Sequence, residues 1–222
     1  MRRDAHDAGL ERLTRRRAHR HRRERRDSGA LVNNYLEQSL ADFLDSVASG
    51  EPTPGGGAVA AVAVALAAGL SVMAARLSVG HLADAEELAE RAERLRQRAA
   101  SLAQEDASAY VRFLAAYRSP DNGDPESRRE RIQTALSGAA DVPLAIAETG
   151  AEVAELAALL AREGNPNLRG DALAAALLAK AGTRAAAELV EINTTAGEIA
   201  NGRAGRAGAL TARAVGAVEG VS

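Results

Sequence analysis

Leu88, Ala92, Leu95, Ala99, Leu102, Asp106, Ala109, Phe113 and Ala116 follow one another at alternating steps of four and three residues. That spacing is a heptad seam, the continuous buried face of a long helix, and Arg and Glu fill the other faces. The helix is expected to stop at Ser119-Pro120-Asp121-Asn122-Gly123. One member of the seam is a carboxylate. Asp106 loses hydration on such a face, so its pKa should rise unless a partner compensates. It is either an acid/base group suited to near-neutral pH or a seam polar residue satisfied by an Arg or a backbone donor.

On either side of the seam the chain reads as helices separated by short breakers. A first helix is predicted over about Tyr35 to Ser49, with Leu36, Leu40, Phe43, Leu44 and Val47 on one face. Pro52-Thr53-Pro54-Gly55-Gly56-Gly57 then forbids helix. Ala58 to Ala75 follows, 18 residues without a charge. That length grazes a membrane span. Half of it is Ala, however, with Gly69 and Ser71 inside and Arg76 directly after, so the expectation is a helix buried all round and no membrane. A fourth helix starts near Glu126 and is expected to break or kink at Pro143. Gly164-Asn165-Pro166-Asn167 ends it, a fifth runs from about Asp171 past Asn193, and a last one passes through Leu210 and Val215. No strand alternation is present. The fold expected is all-α, an antiparallel helical bundle with long core helices and no sheet.

Composition agrees. There are five aromatic residues, no Trp, no Cys, and a single Lys180 beside 27 Arg in 222 residues. Few aromatic and β-branched residues argue against sandwiches and barrels. The lack of Cys excludes disulfides, thiolate catalysis and Cys-ligated metal. The net charge of −2 divides into +6 over residues 1–28 and −8 over the remainder. Residues 1–30 are read as a disordered Arg-rich extension and residues 31–222 as one helical domain. The extension has neither aromatics for base stacking nor a reading motif, so nucleic acid is not the expected partner. It also lacks the apolar core of a secretory signal, and the cytoplasm is the compartment expected.

Other candidate groups are sparse. The glycines at 55, 56 and 57 let a ligand approach backbone at a helix start, or let two helices cross closely. Asn165 and Asp171 flank a helix start, as caps or as site groups. Asn193 is polar on an Ala-rich helix. His81 is the one His outside the extension, so a metal site and a Ser-His-Asp triad are both disfavoured.

Several of these segments, in order, resemble the cyclodeaminase/cyclohydrolase family of one-carbon folate enzymes. The resemblance rests on Pro52 to Gly57 opening an Ala-rich helix that closes with Met73-Ala74-Ala75-Arg76-Leu77. It continues through Asp106-Ala107-Ser108-Ala109-Tyr110, Ala116-Tyr117-Arg118-Ser119-Pro120, Arg131 to Ala135, Val142-Pro143-Leu144, Gly164 to Asn167 with Asp171, and Ile192-Asn193. It covers about Leu36 to Ala200.

The resemblance implies a metal-free, all-helical homodimer acting on a tetrahydrofolate derivative, with no cofactor besides that substrate. Two reactions follow from it: hydrolysis of 5,10-methenyltetrahydrofolate to 10-formyltetrahydrofolate, or cyclisation of 5-formiminotetrahydrofolate with loss of ammonia. It further implies Asp106 and Asp171 as catalytic groups and Pro54, Gly55, Gly56, Gly57, Tyr110, Asn165 and Asn193 as substrate contacts. The alternative is a non-catalytic dimeric binding or structural protein on the same scaffold. The chain departs from the family pattern at His81-Leu82, Asp121, Leu177 and Leu189, removing cationic and amide positions suited to holding the glutamate tail of folate.

Overall fold

The structure is a computed structural model that describes residues 34–120, 124–199 and 202–221. The extension over residues 1–30 and Asp121 lie outside the described residues. Six α-helices form among them: α1 (Leu40–Val47), α2 (Gly56–Arg76), α3 (Ala85–Arg118), α4 (Pro125–Glu163), α5 (Arg169–Ala196) and α6 (Arg203–Glu219). Single turns of 3-10 helix occur at Tyr35–Glu37 and Pro166–Leu168, and no strand occurs among the described residues.

The uncharged helix α2 is the centre of the bundle, in contact with α3, α4 and α5. Its direction relative to each follows from the contacts at its two ends. Gly57 meets Asp106 near one end, while Val72, Ala74 and Ala75 share a cluster with Leu88, Ala89 and Ala92 at the other, so α3 runs antiparallel. Gly150 of α4 faces Val64 and Gly164 faces Ser78, so α4 runs parallel. Gly56 faces Leu189 and Val64 faces Gly182, so α5 runs antiparallel. α6 lies along α4, with Arg203–Asp141, Arg206–Glu148 and Arg213–Glu155 ion pairs at 2.6, 2.8 and 2.9 Å. These pairs are largely exposed and orient α6 more than they stabilise it.

Alanine makes this closeness possible. Each buried methyl contributes only about 0.8 kcal/mol by transfer, so the core relies on many short contacts rather than on a few large side chains. Gly182 shows how tight the crossing is: a Cβ there would sit 2.7 Å from Val64 Cγ2 and 3.1 Å from the Ala60 carbonyl oxygen. The heptad seam is the inward face of α3. Leu88, Ala92, Ala99, Leu102 and Ala109 are buried, and the face opens gradually towards Phe113 and Ala116.

Three local expectations are corrected. The single first helix is divided, because the Ser39 hydroxyl accepts from the Asp42 N–H and starts α1 afresh after the 3-10 turn. Of its apolar face only Phe43 is buried, while Leu36, Leu40, Leu44 and Val47 are exposed. Helix α2 is not buried all round, since Val59, Leu66 and Met73 face outward along one side. Its length and apolarity would suffice for a membrane span, but 56% of that window is buried against neighbouring helices.

The third correction concerns Pro143. The expected break does not occur, and α4 is one helix of 39 residues with Pro143 inside it and fully buried. Proline has no N–H to give the carbonyl four residues earlier. That carbonyl belongs to Ala139, and the Asn193 side-chain amide donates to it from α5 at 3.0 Å. A tertiary hydrogen bond therefore replaces the one that proline removes. Asn193→Ala should lower unfolding free energy by about 1 kcal/mol. Chemical denaturation measures this, and an unchanged midpoint would mean that the Ala139 carbonyl finds another donor.

Candidate active site

Helix α2 begins at Gly56, but the helices around it do not stop at that level. From Asp106 beside Gly57, α3 continues for twelve residues to Arg118, about 18 Å at the helical rise. α4 starts from the same end and α5 continues past Leu189. The three helices therefore overhang the start of α2, and the term cup denotes this overhang, with the first turn of α2 as its floor. Pro54 is buried beneath the entering loop, and the Thr53–Pro54 peptide is cis. The chain before α1 closes one side, where the Tyr35 N–H donates to Gln104 Oε1 at 3.1 Å and the Tyr35 ring packs edge-on against Phe43 at 5.6 Å.

Asp106 is the half-buried carboxylate at the cup floor. It lies so close to Gly57 that a methyl there would overlap its oxygens. Burial raises its pKa above the ordinary aspartate value, and the Ala58 N–H, bonded to it, pulls in the opposite direction. That N–H is one of the donors a helix start leaves without an intrahelical acceptor, and the carboxylate also suits the positive end of the α2 dipole. Among the described residues no Arg or Lys forms an ion pair with Asp106. The seam carboxylate is thus not sealed against a cation.

The structure brings Tyr35 to the same place. Its phenol pKa is raised by burial, while proximity to the Thr53 hydroxyl lowers it and the Asp106 charge raises it further. Its oxygen is buried and makes no bond of hydrogen-bonding geometry among the described residues. Tyr110 begins an aromatic row on α3, with Tyr110–Phe113 and Phe113–Tyr117 centroids each 6.0 Å apart and Arg128 of α4 stacked 5.6 Å from the Tyr117 ring. Arg131 on α4 has Nε and Nη2 buried with no partner among the described residues. Neither Tyr35 nor Arg131 stands out as a site residue in the sequence, because each gains significance only from buried polar atoms left unpaired in the fold.

The other expected site residues divide. Pro54, Gly55, Gly56, Gly57 and Tyr110 belong to the cup. Asn193 borders it, but its amide is engaged with Ala139. Asn165 and Asp171 do not join it within one chain. Asn165 donates to the Leu77 carbonyl at 2.9 Å and accepts from the Asn167 N–H, while Asp171 is exposed in the first turn of α5. Both stand at the opposite end of α2 from Asp106, about 30 Å away at 1.5 Å per residue. Two shallow depressions, of about 250 Å³ beside Arg128 and Glu198 and about 410 Å³ beside Arg162 and Arg169, do not include Asp106.

This geometry has known counterparts. A model of the formiminotransferase-cyclodeaminase family matches residues 39–199. The chain belongs to that family. It is 39% identical over 164 residues to the methenyltetrahydrofolate cyclohydrolase of Methylorubrum extorquens, covering 70% of this chain and 79% of that protein. It is 33% identical over 176 residues to the formimidoyltransferase-cyclodeaminase of Rattus norvegicus, covering 75% of this chain but 32% of that longer protein. The crystal structure of formiminotetrahydrofolate cyclodeaminase from Thermotoga maritima superimposes with a TM-score of 0.74 at 30% identity, over 84% of this chain and 94% of that one.

The family match encloses Asp106 and leaves Tyr35 outside its limits. Of the departures from the family pattern, His81 and Leu177 are exposed, and Leu189 packs at the Gly56 end of α2. The raised Asp106 pKa has a thermodynamic consequence within this family fold. A carboxylate whose folded pKa exceeds its unfolded one opposes folding once it ionises, so this contribution is absent at low pH and grows unfavourable as pH rises through those values. Asp106→Asn should therefore leave the thermal midpoint at pH 7 unchanged or higher. A clear fall would mean that the charge stabilises the fold.

Proposed function

We propose that the chain is a one-carbon folate enzyme whose reaction is hydrolysis of 5,10-methenyltetrahydrofolate to 10-formyltetrahydrofolate. The supporting observation is Asp106: a desolvated carboxylate, unpaired with Arg or Lys among the described residues, beside a helix start at the floor of an open cup. Similarity to a cyclohydrolase over 79% of its length favours this chemistry. Cyclisation of 5-formiminotetrahydrofolate is the second reading, favoured by the Thermotoga maritima match.

In the first reaction, water adds to the cationic methenyl carbon. A cation bound beside Asp106 favours its ionised form and offsets the burial that raises its pKa. The carboxylate then accepts a proton from the attacking water and returns one to N5 as the N5–carbon bond breaks. Loss of the proton on the added oxygen leaves the formyl group on N10, and one proton is released overall. Tyr35, kept protonated by burial, donates a hydrogen bond to the added oxygen, and Tyr110 offers a ring face to the pterin. Water is the nucleophile, and no cofactor beyond the folate is needed. The enzyme works on a free small molecule in the cytoplasm.

Loss of the methenyl chromophore should be catalysed well above the spontaneous rate, with Asp106→Asn reducing kcat by at least about 100-fold. Activity requires the ionised carboxylate, so kcat/KM should fall as pH drops through a value above the ordinary aspartate range. No acceleration over buffer would reject the hydrolysis. An acid limb retained in Asp106→Asn would move the titrating group elsewhere.

The same reading makes the protein a homodimer through α2. Val59, Leu66 and Met73 are 39%, 61% and 36% exposed at seven-residue intervals on a helix without a charge before Arg76. Pairing of two copies in opposite directions along this stripe would bring Asn165 and Asp171 of one towards Asp106 of the other. Light scattering should give a dimer for the native chain and a monomer for Leu66→Glu at micromolar concentration. A native monomer would sink the pairing.

A further inference from the structure

Arg131 is the strongest unassigned group in the molecule. Its Nε and Nη2 are buried and have no hydrogen-bond partner among the described residues. Nearby arginines are engaged: Arg129 with Glu198, Arg203 with Asp141, and Arg128 with the Tyr117 ring. Buried guanidinium donors without acceptors cost free energy that an anion would recover.

Its position indicates which anion. Arg131 lies eleven residues, three helical turns, before Val142, and so on the same row of α4. Val142 packs against the core cluster to which α2 contributes Ala58, Ala60, Ala61 and Val64. Arg131 therefore faces inward beyond the point where α2 has ended. Along α4 it stands between Arg128, level with Tyr117, and Ala139, level with Asn193. From Ala107 to Arg118, α3 has no acidic residue and carries the aromatic row instead. Asp106 at one end, an aromatic wall, and further out a guanidinium with two buried donors unpaired among the described residues match a ligand with a cationic head, a flat middle and an anionic end.

We infer that Arg131 is the anchor for the carboxylates of the substrate's p-aminobenzoylglutamate arm, and that the arm lies along Tyr110, Phe113 and Tyr117. This rests on the folate reading and adds a specificity-determining residue to it. Arg131 is a binding residue, distant from the proton transfers at Asp106. Guanidinium–carboxylate recognition is bidentate and suits the α-carboxylate of a glutamyl group.

The test uses the full chain with two probes, 5-formyltetrahydrofolate and its pteroate counterpart lacking the glutamyl group, with titration calorimetry as the readout. Arg131→Gln should weaken the first by about 10- to 100-fold, as expected for loss of a charged hydrogen bond, and leave the second unchanged. Arg131→Lys should recover part of the loss. For methenyltetrahydrofolate, KM should rise in Arg131→Gln while kcat stays within about twofold, since remote binding is what is removed. Equal losses for both probes, no loss for either, or a fall in kcat at constant KM would overturn the assignment. If the native chain binds neither probe, the folate reading falls and the assignment with it. If the native chain binds both and Arg131→Gln binds them equally well, only the assignment falls. Arg131→Gln should keep the native thermal midpoint or exceed it, and Arg131→Lys reads the same contrast in a cationic background.

Discussion

The organisation of this molecule depends on the approach of the Asp106 carboxylate to the start of α2. A side chain at position 57 would occupy the space of that carboxylate, so glycine there is a steric requirement. The contact fixes the level of α2 against α3, and α3 then extends past the end of α2. The cup follows from that offset. Burial in this position makes the carboxylate harder to ionise, while the helix start supplies one N–H to hold it. Both effects come from a single crossing.

The crossing is possible because the core is alanine. Larger side chains would gain more burial per residue but would hold the helices further apart. With α2 this close to three neighbours, backbone atoms come within contact range, as Gly182 shows against Ala60. Larger apolar side chains, Val59, Leu66 and Met73, lie instead on the fourth side of α2, which the described chain does not cover. Alanine on the inner faces and larger apolar residues on the outer one give α2 tight packing within the chain and an uncovered stripe outside it.

Much of this was legible in the sequence. The heptad period of Leu88 to Ala116 gives the long helix, and the one charged member of that seam marks Asp106. Pro143 shows where local reading fails. Proline inside a helix removes a donor, and nothing local reveals that Asn193, 50 residues later, replaces it. Asn165 and Asp171 fail differently. Their order along the chain says nothing about which end of a bundle they occupy, and the reversal from α3 into the 39-residue α4 carries them to the end away from Asp106. Tyr35 and Arg131 were hidden for a third reason. A tyrosine before a helix and an arginine on one are unremarkable until burial without a partner sets them apart.

The two ends of the bundle differ in how far their polar groups are satisfied, and that difference bears on function more directly than any motif. At the Asn165 end the bonds close on one another. Ser78 donates to the Ala74 carbonyl and accepts from the Asn165 N–H, while the Asn165 side chain both donates and accepts. At the Asp106 end a carboxylate is desolvated and, among the described residues, a phenol oxygen is buried without a bond and a guanidinium has two donors unused. Each of these costs stability in the free protein. A fold optimised only to persist would remove them or pair them, as it has at the other end. Groups that a ligand completes are the kind that justify such a cost, because their interactions are then made with the substrate rather than with the protein.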